Sequence, residues 1–317
     1  MSKILGVNLS HNCSFAYLKD GVLKEYYEED RFNKIKHFHP YHPFDKEDYQ
    51  YLALKKFNNI LFDEVSFVSN DRRGDALIEK HMIENILKQI KFKKFKFYFG
   101  EHHLLHALCG FYFSNFNEAI ILVCDGGGEF LNGYVEYGFE ALESVYYINN
   151  NSLKCFYQHY SNARTDFFKK LKYIPSETHW KNKNTDVRVS NIVCCGVKYY
   201  DYMREAGFPA HSEGQLMGMA AYKNKNTNID KHALECADKA QTESLEERIE
   251  FIKKAKTYSD CKNIILSGGY HLNCANNFKL VKLFPELNFF VDPIAHDGGT
   301  AVGAAYATYQ YEKNFKN

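Results

Sequence analysis

The chain has 317 residues, 45% of them hydrophobic and 25% charged, with a formal charge of +1, the composition of a soluble globular protein with two domains or one fold of two halves. A charge so close to zero gives no general attraction to polyanions, so nucleic acid is compatible with a local groove but not indicated as a partner. No apolar run approaches the ~20 residues of a membrane helix, and the polar stretch Ser10-His11-Asn12 stands where a signal peptide would carry its apolar core, so a cytoplasmic protein with no membrane partner is expected.

Residues 4–8 read as a strand that ends in the polar cluster at 10–12. Strand-like runs over 14–19 and 22–27 follow, joined by Asp20-Gly21, a strong hairpin signal. Residues 75–90 have the period of an amphipathic helix, and 90–99 alternate Lys and Phe like a strand with one face in a core and its lysines in solvent. A second apolar strand over 119–124 breaks at Asp125-Gly126-Gly127-Gly128-Glu129 and is followed by strand-like runs over 133–137 and 143–148. The stretch 154–193 is polar and aromatic without a clean period and reads as an inserted, partly irregular segment. Its aromatic rings either line an acceptor pocket or, more simply, fill a core. Further on come a charge-laced helix over 242–256, short strands over 264–266 and 288–291, and a small-residue helix over 301–311. Nine cysteines without a C-x-x-C pair suggest neither a disulfide framework nor a zinc ribbon.

Strand, polar loop and hairpin thus occur twice. This is the organisation of the duplicated α/β fold of actin, sugar kinases and heat-shock ATPases (ribonuclease H-like), in which two halves hold a nucleotide in a central cleft; the fold alone does not fix a function. On this pattern residues 1–112, closed by a C-terminal helix over 300–314, form the first half and 113–317 the second, with the inserted segment near 154–193.

Four groups of residues carry chemistry. If a helix begins near His102, then His102 and His106 lie four apart on one face, the spacing that holds one divalent metal through two imidazoles. Asp297, at a strand-to-helix junction, is the candidate third ligand. Two histidines and a carboxylate suit Fe(II) first, with Zn or Mn as alternatives. No Glu lies between the histidines as in zinc peptidases. Glycine loops at 125–129, 267–269 and 297–299 form the second group. Backbone amides of Gly126, Gly127, Gly128, Gly268 and Gly269 are suited to phosphate and the carboxylate of Asp125 to a metal or ribose, unless these are only tight turns. There is no Walker or Rossmann motif. In the third group, His11 at the first strand's end is a candidate general base, and Arg31 and Lys36 are candidates to neutralise phosphate or an oxyanion, or are plain surface cations. Glu213, in Ser212-Glu213-Gly214-Gln215-Leu216-Met217-Gly218, either binds substrate or nucleotide or marks a helix boundary.

Taken together, these stretches resemble the O-carbamoyltransferases of the nodulation-factor and cephamycin type, whose catalytic domain is related to the tRNA threonylcarbamoyladenosine transferase. The likeness rests on Glu28-Glu29-Asp30-Arg31-Phe32 with Lys36-His37, on His102-His103-Leu104-Leu105-His106-Ala107, on Asp125-Gly126-Gly127-Gly128-Glu129 and on Glu213-Gly214-Gln215-Leu216-Met217-Gly218. Gly268-Gly269 with Leu272-Asn273-Cys274, and residues 297–305, complete six ordered motifs. The resemblance implies an actin-like enzyme that passes a carbamoyl group from carbamoyl-adenylate, made from carbamoyl phosphate and ATP, to an acceptor hydroxyl on a small molecule, sugar or hydroxymethylated nucleotide or DNA base. It further implies a metal at His102, His106 and Asp297, His11 as base, Lys36 and Arg31 as charge stabilisers, and a nucleotide cradle of Asp125, Gly126, Gly268, Gly269 and Asn273. Asn12 stands where the family has Asp, so a carboxylate role there is lost, and Gln215 stands where it has Lys. Full-length relatives continue into a domain that makes carbamoyl-adenylate; none is expected here, so a separately supplied protein is the implied partner. Two alternatives are a threonylcarbamoyl transferase acting on tRNA adenosine, which the 28–37 and 213–218 motifs fit less well, and a non-catalytic nucleotide-binding subunit, which has no need of His11, Lys36, His102, His106 and Asp297 together.

Overall fold

The computed structural model describes residues 1–40, 49–69, 76–131, 138–149, 152–162, 177–182, 184–192, 194–225 and 228–314. In chain order the elements are β1 (Lys3–Asn8), β2 (Ser14–Lys19), β3 (Val22–Glu28), α1 (Asp30–Asn33), β4 (Leu61–Val68), α2 (Ala76–Lys88), β5 (Lys91–Tyr98) and α3 (His102–Ser114). There follow β6 (Glu118–Cys124), β7 (Glu140–Asn149), β8 (Ser152–Ser161), β9 (Glu177–Asn182), β10 (Thr185–Ser190), α4 (Cys195–Glu205), α5 (Glu213–Met219) and α6 (Lys231–Lys256). The last are β11 (Asn263–Ser267), α7 (Cys274–Leu283), β12 (Asn288–Val291) and α8 (Thr300–Asn314). The chain divides into two compact units, Met1–Asn115 with Asp292–Asn317, and Phe116–Val291. The strand expected over 133–137 lies outside the described residues, as do 163–176, 183 and 193 of the expected insertion. Among the described residues no helix is long and apolar enough to cross a membrane.

The first unit is built on a five-stranded sheet in the order β3-β2-β1-β4-β5. The β1–β2 and β2–β3 pairs are antiparallel, while β4 joins β1 and β5 joins β4 in parallel. Asp20 and Gly21 both take positive φ, +52° and +80°, as the tight two-residue hairpin turn requires. Period-two alternation divides β1 between two faces. Leu5 and Val7 enter a core with Phe15, Phe62, Phe67, Met82 and Ile86, whereas Ile4 packs with Leu18 and Ala305 under α8. Helix α8 comes unusually close to its neighbours because the residues in between are small. A Cβ on Gly6 would sit 1.9 Å from the Ala301 carbonyl oxygen, and one on Gly303 would sit 2.0 Å from that of Leu105 in α3. The lysines of the edge strand β5 are answered locally: Lys94 and Lys96 reach Glu64 at 2.9 and 3.9 Å, and Lys93 reaches Asp63 at 2.6 Å.

The second unit repeats this scheme. Its sheet has the order β12-β11-β6-β7-β8-β10-β9. Here β6–β7 and β7–β8 are antiparallel while β11 joins β6, and β12 joins β11, in parallel. Those are the relationships of β1, β2, β3, β4 and β5. The stretch expected to be partly irregular supplies β8, β9 and β10 where it is described, and the last two extend the sheet. Its rings Tyr157 and Tyr160, and Tyr199 beyond it, are buried, so they act as core. Helix α6 begins well before residue 242, at a cap in which Asp230 Oδ2 accepts the Ala233 N–H at 2.9 Å. It carries Arg248, 1% exposed, onto Glu143 of β7. Glu143 also lies 3.4 Å from His159 Nδ1, and His159 Nε2 lies 2.7 Å from Ser190 Oγ, so buried polar groups tie β7, β8, β10 and α6. Contrary to the expectation from cysteine spacing, Cys124 is disulfide-bonded. No other cysteine is near it in sequence, and a bond of that kind leaves no spacing signature.

The contacts of α8 generate a test of the fold. Gly6→Ala and Gly303→Ala are each expected to destabilise by roughly 1–3 kcal/mol through overpacking against backbone. Gly214→Ala, whose Cβ would meet nothing within 4 Å in α5, is expected to leave the melting temperature unchanged or raise it slightly. Thermal denaturation of the three variants checks this.

Candidate functional site

In the first unit, four polar side chains converge on one carboxylate. The sequence starts α3 at His102, so the next histidine on the same face is His106, and their Nε2 atoms lie 3.0 Å apart. Asp297 begins the 3-10 turn ahead of α8, and its Oδ1 is 3.7 Å from each of those nitrogens. Its Oδ2 accepts Ser10 Oγ at 2.9 Å and lies 3.3 Å from His11 Nε2. His102 and His106 are fully buried and Asp297 is 1% exposed, while the His11 side chain is 30% exposed. Burial alone would push the Asp297 carboxyl up; His11 and His102 foremost, then His106, outweigh it and hold the carboxyl well below the usual carboxylate range. Donor atoms bound to one ion at ~2.0–2.1 Å stand about 3.0–3.4 Å from one another. The two imidazole nitrogens, 3.0 Å apart, stand at that spacing, and Asp297 Oδ1, 3.7 Å from each, is a few tenths of an ångström beyond it, so the set suits a divalent metal after a small shift of the carboxylate.

Around this group the structure adds residues that the motifs did not single out. Ser10 is held by its backbone N–H, which donates to Asn8 Oδ1 at 3.0 Å, leaving its hydroxyl to donate to the Asp297 carboxylate. Asn12, at φ +58°, places its amide 3.1 Å from His11 Nδ1 and 3.3 Å from His37 Nδ1, which gives the residue that replaces the family's Asp a bridging part. His296 lies 3.5 Å from Glu28 and accepts the Gly298 N–H at 3.1 Å; burial lowers its pKa, against the pull of Glu28. The clue to Ser10 and His296 was adjacency in sequence to His11 and Asp297.

Arg31 and Lys36 make no hydrogen bond or ion pair with Ser10, His11, His102, His106 or Asp297 among the described residues. The Arg31 side chain is 74% exposed and answers Glu28 and Asp30, each at 3.6 Å, and Lys36 is exposed. Glu29 in the same motif has a purely architectural use: fully buried, it accepts the N–H groups of Leu52 and Ala53 and the Tyr49 hydroxyl, all at 2.9 Å.

In the second unit the parallel pairing of β6 with β11 brings the 125–129 and 267–269 loops side by side. Asp125, 6% exposed, accepts the Gly269 N–H on Oδ1 at 3.1 Å. Gly268 has φ +90°, and a Cβ there would lie 2.4 Å from the Cys124 carbonyl oxygen, so glycine is required by the approach of the two loops themselves. Gly126, Gly127 and Gly128 occupy the loop beyond Asp125, with Glu129 anchored by Gln158 at 3.1 Å. Glu213 opens α5 half-buried, one residue after its N-cap. Asn273 is different: its Oδ1 accepts from Asn276 N and Gln241 Nε2, and its Nδ2 donates to Tyr199 Oη and Gln241 Oε1, at 2.8–3.2 Å. With both amide hydrogens and both lone pairs engaged, it caps α7 and positions the loop and has nothing left for a nucleotide.

Two sheets with the same strand relationships define an actin-like α/β protein. Among solved structures, HypF from T. kodakarensis superposes with a TM-score of 0.59 at 15% identity, over 99% of this chain and 48% of that one. A ROK family protein from Streptococcus pneumoniae superposes at 0.52 and 11% identity, over 98% and 99%. Residues 242–306 match the family model "Carbamoyltransferase N-terminus", in agreement with the motif likeness. It is 24% identical to the nodulation protein NolNO of Sinorhizobium fredii over 93% of this chain and 46% of that one. It is equally 24% identical to an uncharacterised Synechocystis protein, over 99% and 58%. The chain spans about half the length of these curated relatives.

The loop after Gly269 carries a titratable group with a readable effect. His271 is 1% exposed, and burial, aided by the Arg248 charge, pushes its pKa down to about 3. The folded protein therefore refuses a proton that the unfolded chain accepts below about pH 6.5. Stability should fall as pH drops from there towards 3, with a limiting slope of ~1.4 kcal/mol per pH unit from this group. Urea denaturation of wild type and His271→Gln across that range is expected to show a shallower acid loss in the variant.

Proposed function

We propose that the chain is the transfer part of a carbamoyltransferase, passing a carbamoyl group from carbamoyl-adenylate to an acceptor hydroxyl on a small molecule, sugar or hydroxymethylated nucleotide or DNA base. The observation that carries this reading is the convergence of His11, His102, His106 and Asp297, all within 3.7 Å of a neighbour in the group. His102, His106 and Asp297 are the residues to hold a divalent metal, of which Fe(II) is the first choice. Such an ion supplies Lewis-acid polarisation of a carbonyl or phosphoryl oxygen.

The remaining chemistry belongs to the chain's own side chains. His11, the exposed member of the group, takes the proton of the acceptor hydroxyl as its oxygen bonds to the carbamoyl carbon. The bond from that carbon to the adenylate phosphate oxygen breaks, and AMP leaves with the electron pair. Asp297 Oδ2, 3.3 Å from His11 Nε2, stabilises the imidazolium that forms, and Ser10 keeps that carboxylate oriented. The Asp125 loop with Gly268 and Gly269 is the proposed binding element for the adenylate's phosphate and ribose, and Lys36, which is exposed, is the proposed stabiliser of negative charge. Arg31, engaged with Glu28 and Asp30, supports the loop. The proposed donor is carbamoyl-adenylate, made from carbamoyl phosphate and ATP, and the proposed compartment is the cytoplasm.

The test supplies the purified 317-residue chain with ATP, labelled carbamoyl phosphate and ferrous iron, with and without a carbamoyl-adenylate-forming partner domain. Label is followed into pooled hydroxylated metabolites and hydroxymethylated DNA. Wild type is expected to transfer label when that domain is present, and Asp297→Ala not at all. His11→Ala is expected to lose roughly 10²–10⁴-fold in kcat. No transfer to any acceptor with partner and metal both present sinks the reading.

A further inference from the structure

A second set of metal-type donors lies far along the chain from the first, where α4 ends and α6 begins. Glu205 is the last residue of α4, and His232 and Cys236 occupy the first turns of α6. Being four apart, His232 and Cys236 project from one helix face. Their Nε2 and Sγ atoms are 3.7 Å apart, and a Glu205 carboxylate oxygen completes a trio whose ligand atoms all lie within 4.8 Å of one another. Bonds of ~2.3 Å to sulfur and ~2.0–2.1 Å to nitrogen at a tetrahedral angle place the two donors about 3.6 Å apart, so this pair already stands at the spacing a bound ion needs.

We infer that Glu205, His232 and Cys236 form a binding site for a zinc-class divalent ion, with one position open to water. The donor types decide the class: one thiolate, one imidazole and one carboxylate suit Zn(II) and its spectroscopic substitute Co(II), and not Mg or Ca. Glu205 and His232 are exposed and give a hydrated ion access, whereas Cys236 is 1% exposed and forms the floor. The thiol proton is released to solvent as sulfur binds the ion, so affinity rises with pH.

Such an ion would pin α4 to α6 at one end of α4. At the other end, a Cβ on Gly196 would lie 2.4 Å from the Asp125 carbonyl oxygen, so the start of α4 buttresses the Asp125 loop. The site is therefore a clamp on the helix beneath a glycine loop of the same unit. It stands independently of the carbamoyl-transfer reading.

The experiment titrates Co(II) into the purified 317-residue chain and follows the near-ultraviolet thiolate-to-cobalt charge-transfer absorption. The His102, His106 and Asp297 group has no sulfur and gives no such band. Wild type is expected to show it at one equivalent, as are His102→Ala and His106→Ala. Cys236→Ser should abolish it, and His232→Ala and Glu205→Gln, at exposed positions that leave the fold intact, should each weaken affinity roughly tenfold or more. A wild type without the band, a band that survives Cys236→Ser, or unchanged affinity in both exposed-site variants would each overturn the assignment.

Discussion

Everything in the first unit depends on how closely the backbone of α8 is allowed to approach its neighbours. Gly6 admits it to β1 and Gly303 admits it to α3, in both cases to distances that no side chain tolerates. Asp297 stands immediately ahead of α8, His102 and His106 ride on α3, and Ser10 and His11 leave the end of β1. The polar group is thus assembled by three backbones in direct contact. Its side chains have little freedom to adapt, which is what a buried carboxylate faced by imidazoles needs, because taking such charges from water is repaid only when their geometry is held.

The two units share a strand plan and diverge in what their loops carry. In the first, the residues beyond β1 and before α8 are donors: serine, histidine and aspartate. In the second, the loops beyond β6 and β11 are glycine-rich, and a single carboxylate, Asp125, is oriented by a backbone N–H of the neighbouring loop. The second sheet is also longer by β10 and β9, and its strand β7 presents Glu143 to the buried Arg248 of α6. Removing one partner of such a pair leaves an uncompensated charge in the interior, so the pair resists piecemeal change more than it adds stability.

Much of this was legible in the chain itself, for identifiable reasons. Hairpins signalled by Asp-Gly, apolar strands ending in polar loops and two histidines four apart are local patterns, and local patterns survive translation into structure. The actin-like duplication followed from seeing one of them twice. What was not legible depends on partners far away in sequence. Nothing around Glu29 announces that its oxygens serve Leu52 and Ala53, and nothing near Cys124 announces its disulfide. The charge pattern placed a helix over 242–256 but not its true start, because that is set by the Asp230 cap. Asn273 was read as a ligand contact through resemblance, and only its four hydrogen bonds reveal an architectural part.

Those bonds have a consequence for how the protein can change over generations. Asn273, Gln241, Asn276, Tyr199, Ser244 and Tyr270 satisfy one another in a closed circuit, buried throughout. Replacing one member strands the donors and acceptors of the others, and no single second substitution repairs them all. Such a circuit behaves as one inherited unit, in which the effect of any residue is defined only in the presence of the rest. Strong epistasis of this kind preserves an amino acid in a lineage as firmly as contact with a substrate does, so persistence of asparagine at position 273 is not evidence that it touches a ligand.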